Sequence, residues 1–151
     1  MILFVDDEPR DMNSFVLELQ FDLGQENVTF ESNVDKALEY LENHKNEIQI
    51  VILDNTMPSG KIYEDEQTHE VIRTGLFLYE DIRSMLPDIP IIIFSNVPKE
   101  NVLTNYSSDS EKKIMNMLEQ ETGCNKADYL EKPDYFPYEL VEVVKKMLNF
   151  E

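Results

Sequence analysis

Five short, almost uninterrupted apolar runs punctuate the chain, at residues 2–5, 28–30, 50–53, 89–94 and 127–130. Continuous apolar character, as opposed to strict alternation, is what strands covered on both faces require. Between and after the runs lie segments with helical spacing. Met12, Phe15, Val16 and Leu19 fall at i, i+3, i+4 and i+7, as do Val34, Ala37, Leu38 and Leu41. Leu78, Ile82, Met85 and Leu86 make a third stripe, Ile114, Met117 and Leu118 a fourth, and Leu140, Val143, Val144 and Met147 a fifth. Strand followed by helix, five times over, predicts an α/β fold: a doubly wound, five-stranded parallel sheet with helices on both faces.

The length of 151 residues suits one such domain. The fifth stripe ends almost at the last residue, so the expectation is a single domain over 1–151 with no output domain attached. Two polar stretches interrupt the alternation, at about 59–73 and 97–109, both longer than most connections in such folds. The second begins at Pro98 with helical character and then loosens through Tyr106, Ser107 and Ser108.

Acids outnumber bases 31 to 13, a net charge of −18, which repels phosphate backbones and anionic membrane surfaces. Nucleic acid and membrane are therefore excluded as direct partners. The one cysteine, Cys124, allows no internal disulfide and fits a reducing compartment. The longest apolar run contains Pro90 and is far too short to span a bilayer, and no basic, apolar leader opens the chain. These features predict a cytoplasmic protein.

In an open parallel sheet, functional groups gather beyond the carboxyl ends of the strands. The first run leads into Asp6-Asp7-Glu8-Pro9, and the third into Asp54-Asn55-Thr56-Met57-Pro58. The fourth ends in Ser95-Asn96, and the fifth runs through Tyr129-Leu130-Glu131 into Lys132-Pro133. Three carboxylates, a hydroxyl and an ammonium thus share one edge. Clustered carboxylates repel unless a cation sits among them, and the hard ion that takes carboxylates together with phosphate oxygens is Mg²⁺. A carboxylate can also attack phosphorus, with metal and ammonium neutralising the equatorial oxygens. Singly, each feature has a plainer account. Asp6 to Glu8 could start a helix, Asp54 could form a turn, Lys132 could be a solvated surface residue, and Ser95 could close a buried strand. Together these accounts need four coincidences.

The motifs Val5-Asp6-Asp7-Glu8-Pro9, Leu53-Asp54-x-x-Met57-Pro58, Phe94-Ser95 and Tyr129-Leu130-x-Lys132-Pro133 resemble the receiver domain of two-component response regulators, in order and over the whole chain. The resemblance implies the flavodoxin-like receiver fold and a stand-alone phosphorylation switch. Asp54 would accept a phosphoryl group from a histidine kinase or phosphotransfer protein. Asp7 and Asp54 would ligate Mg²⁺ or Mn²⁺ directly, Asp6 through water, and the Thr56 backbone carbonyl would complete the protein ligands. Ser95 and Lys132 would stabilise the phosphoryl oxygens, and Tyr129 would be the switch aromatic. The family also implies a cis bond before Pro133, and an output surface built of the fourth helix, fifth strand and fifth helix, met by a downstream protein. Such a domain catalyses its own phosphorylation and dephosphorylation and is otherwise not an enzyme.

Departures from the pattern lie in the two insertions. Gly75 follows Pro58 by seventeen positions, where a typical receiver has its glycine a few residues on. The 59–73 stretch is therefore expected to act as a lid or partner-recognition element beside Asp54. Two other functions compete. A haloacid-dehalogenase-like phosphatase also uses an aspartate nucleophile, but needs an acid where this chain has Thr56. A receiver-like interaction module that is not phosphorylated would have no use for the retained acid cluster. His44 and His69 follow no metal-ligand spacing and read as surface residues. Met115, Met117 and Met147 read as packing.

Overall fold

The computed structural model describes residues 1–58, 60, 74–102 and 109–149. Strands β1 (Ile2–Val5), β2 (Val28–Glu31), β3 (Ile50–Leu53), β4 (Ile91–Ser95) and β5 (Ala127–Glu131) alternate with helices α1 (Pro9–Leu23), α2 (Val34–Asn43), α3 (Thr74–Met85), α4 (Asp109–Gly123) and α5 (Pro137–Met147). The strands form one sheet in the order β2-β1-β3-β4-β5, and all four pairings are parallel. The doubly wound fold expected from the apolar runs is the one observed.

Alternate residues of each central strand feed two cores, which is why the runs are continuous. Leu3 and Val5 pack under α2, α3 and α4 with Val34, Leu38, Ile82 and Leu118. Ile2 and Phe4 pack under α1 and α5 with Phe15, Leu19, Leu140 and Val144. Every residue of β1, β3 and β4 is buried, whereas the edge strands β2 and β5 are partly exposed. Each buried Leu, Ile or Phe contributes about 1.5–3 kcal/mol, so the two sandwiched layers supply most of the driving force.

Local sequence sets the element ends. Pro9 opens α1 and Pro137 opens α5, at first-turn positions where the missing amide costs nothing. The Asn33 side chain caps α2 by accepting from the Lys36 amide at 3.1 Å. Pro90 has no amide for the ladder, so β4 begins one residue after it, later than the apolar run. β4 also gains Ser95, and β2 gains Glu31. The 97–109 stretch starts with a 3₁₀ turn at Lys99–Asn101. Most of the 59–73 stretch, His69, and residues 103–108 lie outside the described residues.

Helix α3 starts earlier than its stripe, and Gly75 explains where. A Cβ on Gly75 would lie 2.2 Å from the Asp54 carbonyl oxygen and 2.5 Å from Asn55 Cα. The Gly75 amide donates to the Asn55 carbonyl at 2.9 Å, and the Thr74 hydroxyl to the Met57 carbonyl at 2.7 Å. The first turn of α3 thus rests on the backbone that carries Asp54, and only glycine allows that approach. At the far end of α3, Arg83 is buried, bonds Glu121 of α4, and donates to the carbonyls of Leu86, Ile89 and Lys126. Tyr79 also bonds Glu121.

Gly75→Ala should therefore lower stability by about 1–3 kcal/mol or more, the usual cost of overpacking. Gly123→Ala, where an added Cβ meets nothing within 4 Å, should stabilise by up to about 1 kcal/mol. Urea midpoints of the two variants, moving in opposite directions, check this.

Candidate functional site

The parallel register decides which residues share the edge. Val5 of β1 pairs with Leu53 of β3, so Asp6 and Asp54 are the next residues out on neighbouring strands, which run about 4.8 Å apart. The Asp54 amide donates to the Val5 carbonyl at 3.0 Å and the Asp6 amide to the Glu31 carbonyl at 3.1 Å, fixing both backbones. This is also where strand order reverses, between β1 and its neighbours β2 and β3. On the other side, Ser95 pairs with Glu131, and Lys132 follows directly in a 3₁₀ turn.

The side chains converge. Carboxylate oxygens of Asp6, Asp7 and Asp54 all lie within 4.8 Å of one another. Asp6 and Ser95 are fully buried, and Asp54 and Lys132 nearly so. The Lys132 ammonium lies 2.8 Å from Asp6 Oδ2 and 3.2 Å from Asp54 Oδ2. Asp6 Oδ1 accepts from the Glu8 amide at 2.9 Å, and Asp54 Oδ1 from the Thr56 amide at 3.3 Å. Thr56 itself is exposed. Ser95 Oγ accepts from the Val97 amide at 3.2 Å. Two of the plainer accounts, the helix start and the solvated lysine, fail on geometry, whereas the turn at Asp54 and the buried strand end at Ser95 are both present beside the cluster. Glu8, not Asp6 or Asp7, stands at the cap of α1 and makes no side-chain cap bond, and Lys132 is not solvated.

The electrostatics are strained in one direction. Burial raises the Asp6 carboxyl above the ordinary aspartate range and the Asp54 charge adds to it, although contact with Lys132 and the Glu8 amide pull it back. Asp7 is also raised, by burial and then by Asp54, against its own backbone amide and Lys132. For Lys132, burial pulls the ammonium down, but the bond to Asp6 and the charges of Asp54 and Asp6 outweigh it and leave it raised. One ammonium does not neutralise three carboxylates. Asp6 Oδ2 is shut off from solvent and meets the Lys132 ammonium at 2.8 Å, with no further donor on it. A buried oxygen with unfilled lone pairs in an all-oxygen cluster fits a hard divalent cation such as Mg²⁺ or Mn²⁺.

Tyr129 lies inward, nearly buried, and its hydroxyl donates to the Val97 carbonyl at 2.6 Å. Burial raises its pKa, opposed by hydrogen bonding with Ser95 and Asn55. Asn55 was missed by sequence reasoning. It is buried beside Asp54, and its Oδ1 has no hydrogen-bond partner. Asparagine after a strand end reads as a turn-former, so no sequence signal marked it. The expected cis bond before Pro133 is not observed, for no peptide bond among the described residues is cis. The 3₁₀ turn at Lys132–Asp134 delivers Lys132 to the carboxylates with a trans bond. His44 is half-buried against Tyr40, with its ring stacked at 4.0 Å and Nδ1 2.9 Å from the Tyr40 carbonyl, so it packs instead of lying free on the surface. Met115 and Met147 are buried in the two cores and Met117 packs against the first, as expected.

No sequence-family profile matches the chain, and no curated protein matches it. Solved structures do. A response regulator receiver domain protein from Clostridium thermocellum superposes with a TM-score of 0.65 at 22% identity, covering 98% of this chain and 93% of that one. A CheY-like receiver domain protein from Methanospirillum hungatei JF-1 gives 0.64 at 20%, covering 98% and 92%. A response regulator receiver protein from Sinorhizobium medicae WSM419 gives 0.62 at 23%, covering 98% and 93%. The chain has the receiver fold of response regulators. No helix among the described residues is long and apolar enough to cross a membrane.

The raised carboxyls fix a pH dependence for the metal-free protein. A raised folded pKa contributes stability that is fully present below the ordinary aspartate value and lost as pH rises through the raised value. Removing one charge should therefore help above that window. In chelator, Asp7→Asn should raise the urea midpoint at neutral pH by an amount worth about 1 kcal/mol or less, and should leave it unchanged at pH below the ordinary aspartate value. Saturating Mg²⁺ should stabilise the wild type by about 2.7 kcal/mol at a hundredfold excess over Kd, and the variant far less.

Proposed function

We propose that this chain, over residues 1–151, is a receiver: a phosphorylation switch that signals by protein contact. Asp54 is the phosphoacceptor. One of its carboxylate oxygens attacks the phosphorus of a phosphohistidine on a histidine kinase or phosphotransfer protein, the P–N bond breaks, and an acyl phosphate forms. Asp6, Asp7, Asp54 and the Thr56 backbone carbonyl would hold Mg²⁺ or Mn²⁺, which neutralises charge on the phosphoryl oxygens when bound. The Lys132 ammonium, already bridging Asp6 and Asp54, moves to the phosphoryl group and offsets charge that Asp54 no longer carries. Ser95 Oγ, freed from the Val97 amide, donates to another phosphoryl oxygen.

The observation that carries this reading is the convergence, at one sheet edge, of three carboxylates, a buried ammonium and a buried hydroxyl. Tyr129 is the switch: Val97 supplies both the amide that Ser95 accepts from and the carbonyl that Tyr129 donates to. Drawing Ser95 toward a phosphoryl group therefore shifts the loop on which Tyr129 leans. Phosphate favours one of two arrangements by binding it better. The protein works in the cytoplasm, and the chemistry it catalyses is confined to its own phosphorylation and dephosphorylation.

Intact mass after incubation with Mg²⁺ and a small acyl phosphate tests this. One phosphoryl adduct is expected on the wild type, and none on Asp54→Asn or in chelator. If no adduct appears and beryllofluoride also fails to bind, the domain is not a phosphorylation switch.

A further inference from the structure

Beyond the pocket, a groove of about 660 Å³ opens where β5, α4 and the turn after β5 meet, within the range of about 300–1,000 Å³ that holds organic groups. Apolar or aromatic residues line its floor: buried Met115 and Tyr129, and half-buried Tyr135. Its rim is acidic, with exposed Glu100, Glu119 and Asp134 and half-buried Glu131. Among the described residues lining it, the one cation is Lys99, already bonded to Glu119 at 2.6 Å. The Tyr135 hydroxyl is pushed up by burial and by the charges of Asp128, Asp134 and Glu139, of which Asp134 lies on the rim.

We propose that this groove docks a basic protein segment, one in which lysines or arginines flank one or two apolar side chains. Charge complementarity selects that occupant. An acidic peptide would meet four carboxylates with one ammonium, itself already engaged. A neutral apolar segment would desolvate those carboxylates with nothing to replace the lost water. A basic segment seats its apolar side chains on Met115, Tyr129 and Tyr135, sets its cations against Glu100, Glu131 and Asp134, and competes with Lys99 for Glu119. The rim then governs approach and salt dependence, and the floor supplies the buried area. This names the partner chemistry of the receiver proposed above and rests on that reading only for its link to Asp54, through Tyr129.

The test uses a fluorescein-labelled synthetic peptide of lysine and leucine, and a second peptide with glutamate at each lysine, titrated by anisotropy at low and high salt. The protein partners are the wild type, Glu100→Lys/Glu119→Lys in the groove, and Glu42→Lys/Glu47→Lys, an exposed pair outside it with the same change in net charge. The lysine peptide is expected to bind the wild type. The groove variant should lose about tenfold more affinity than the remote one, a difference of about 1.4 kcal/mol. Equal losses in the two variants would mean a non-specific polycation effect and overturn the proposal, as would equal binding of the glutamate peptide. Amide shift changes in wild-type protein, centred on Met115, Glu119, Tyr129 and Tyr135, are the second expected readout and do not depend on a variant folding. Shifts centred elsewhere would overturn it. Adduct formation on Asp54 is measured on the same samples: an adduct without groove binding removes this inference and leaves the receiver reading, and groove binding without an adduct does the reverse.

Discussion

The Lys132 ammonium, held between Asp6 and Asp54, is the contact on which the functional edge depends. It joins the end of β5 to the ends of β1 and β3 across the intervening β4, so three of the five strand termini meet in its two ion pairs. Burial makes this costly: an ammonium and carboxylates removed from water recover their solvation only through close, well-placed partners. Here the partners are unequal, three carboxylates to one cation. Asp6 stays raised despite direct contact with Lys132. The edge is therefore held short of electrostatic satisfaction, and a site in that condition gains the most from a further cation or from conversion of one carboxylate into another chemical form.

What the amino-acid sequence disclosed, and what it withheld, follows from the range of the forces involved. Strand–helix alternation was readable because burial on two faces demands continuous apolar runs such as residues 50–53, and burial on one demands a stripe such as Val34, Ala37, Leu38 and Leu41. The edge residues followed, because charges directly after such runs must sit at strand ends. The convergence of Asp6, Asp54 and Lys132 is a matter of register, and register is a tertiary property that no single segment carries. Asn55 remained hidden for the same reason: its burial is imposed by Tyr129 and by the close approach of α3 at Gly75. Pro90 shifted the start of β4 through a missing amide, an effect smaller than the apolar signal that surrounds it.

Gly75 gives the insertion at 59–73 its meaning. Its contact with the Asp54 and Asn55 backbone requires α3 to begin on the loop that carries Asp54, however many residues intervene in sequence. The entropic cost of a longer loop grows only slowly with length, so added residues are tolerated as long as both anchors hold. On the near side the Met57 carbonyl is fixed by the Thr74 hydroxyl, and on the far side the Gly75 amide is fixed by Asn55. The two bonds tie together the residues flanking the inserted stretch, next to the backbone of Asp54.

Tyr129 is where pocket and groove become one system. Among the described residues β5 is an edge strand, paired with β4 on one side alone. Tyr129 presents its ring to the groove and its hydroxyl to the Val97 carbonyl, on the loop whose amide engages Ser95. A chain of two polar contacts thus runs from the Ser95 hydroxyl, through Val97, to the floor of an acidic groove. Hydrogen bonds in such a chain exchange partners without leaving a donor buried and unpaired, whereas breaking one outright costs about 1–3 kcal/mol. Rearrangement at the strand ends is therefore more cheaply passed on to Tyr129 than absorbed at Ser95, and in the proposed switch this is the route from Asp54 to the groove.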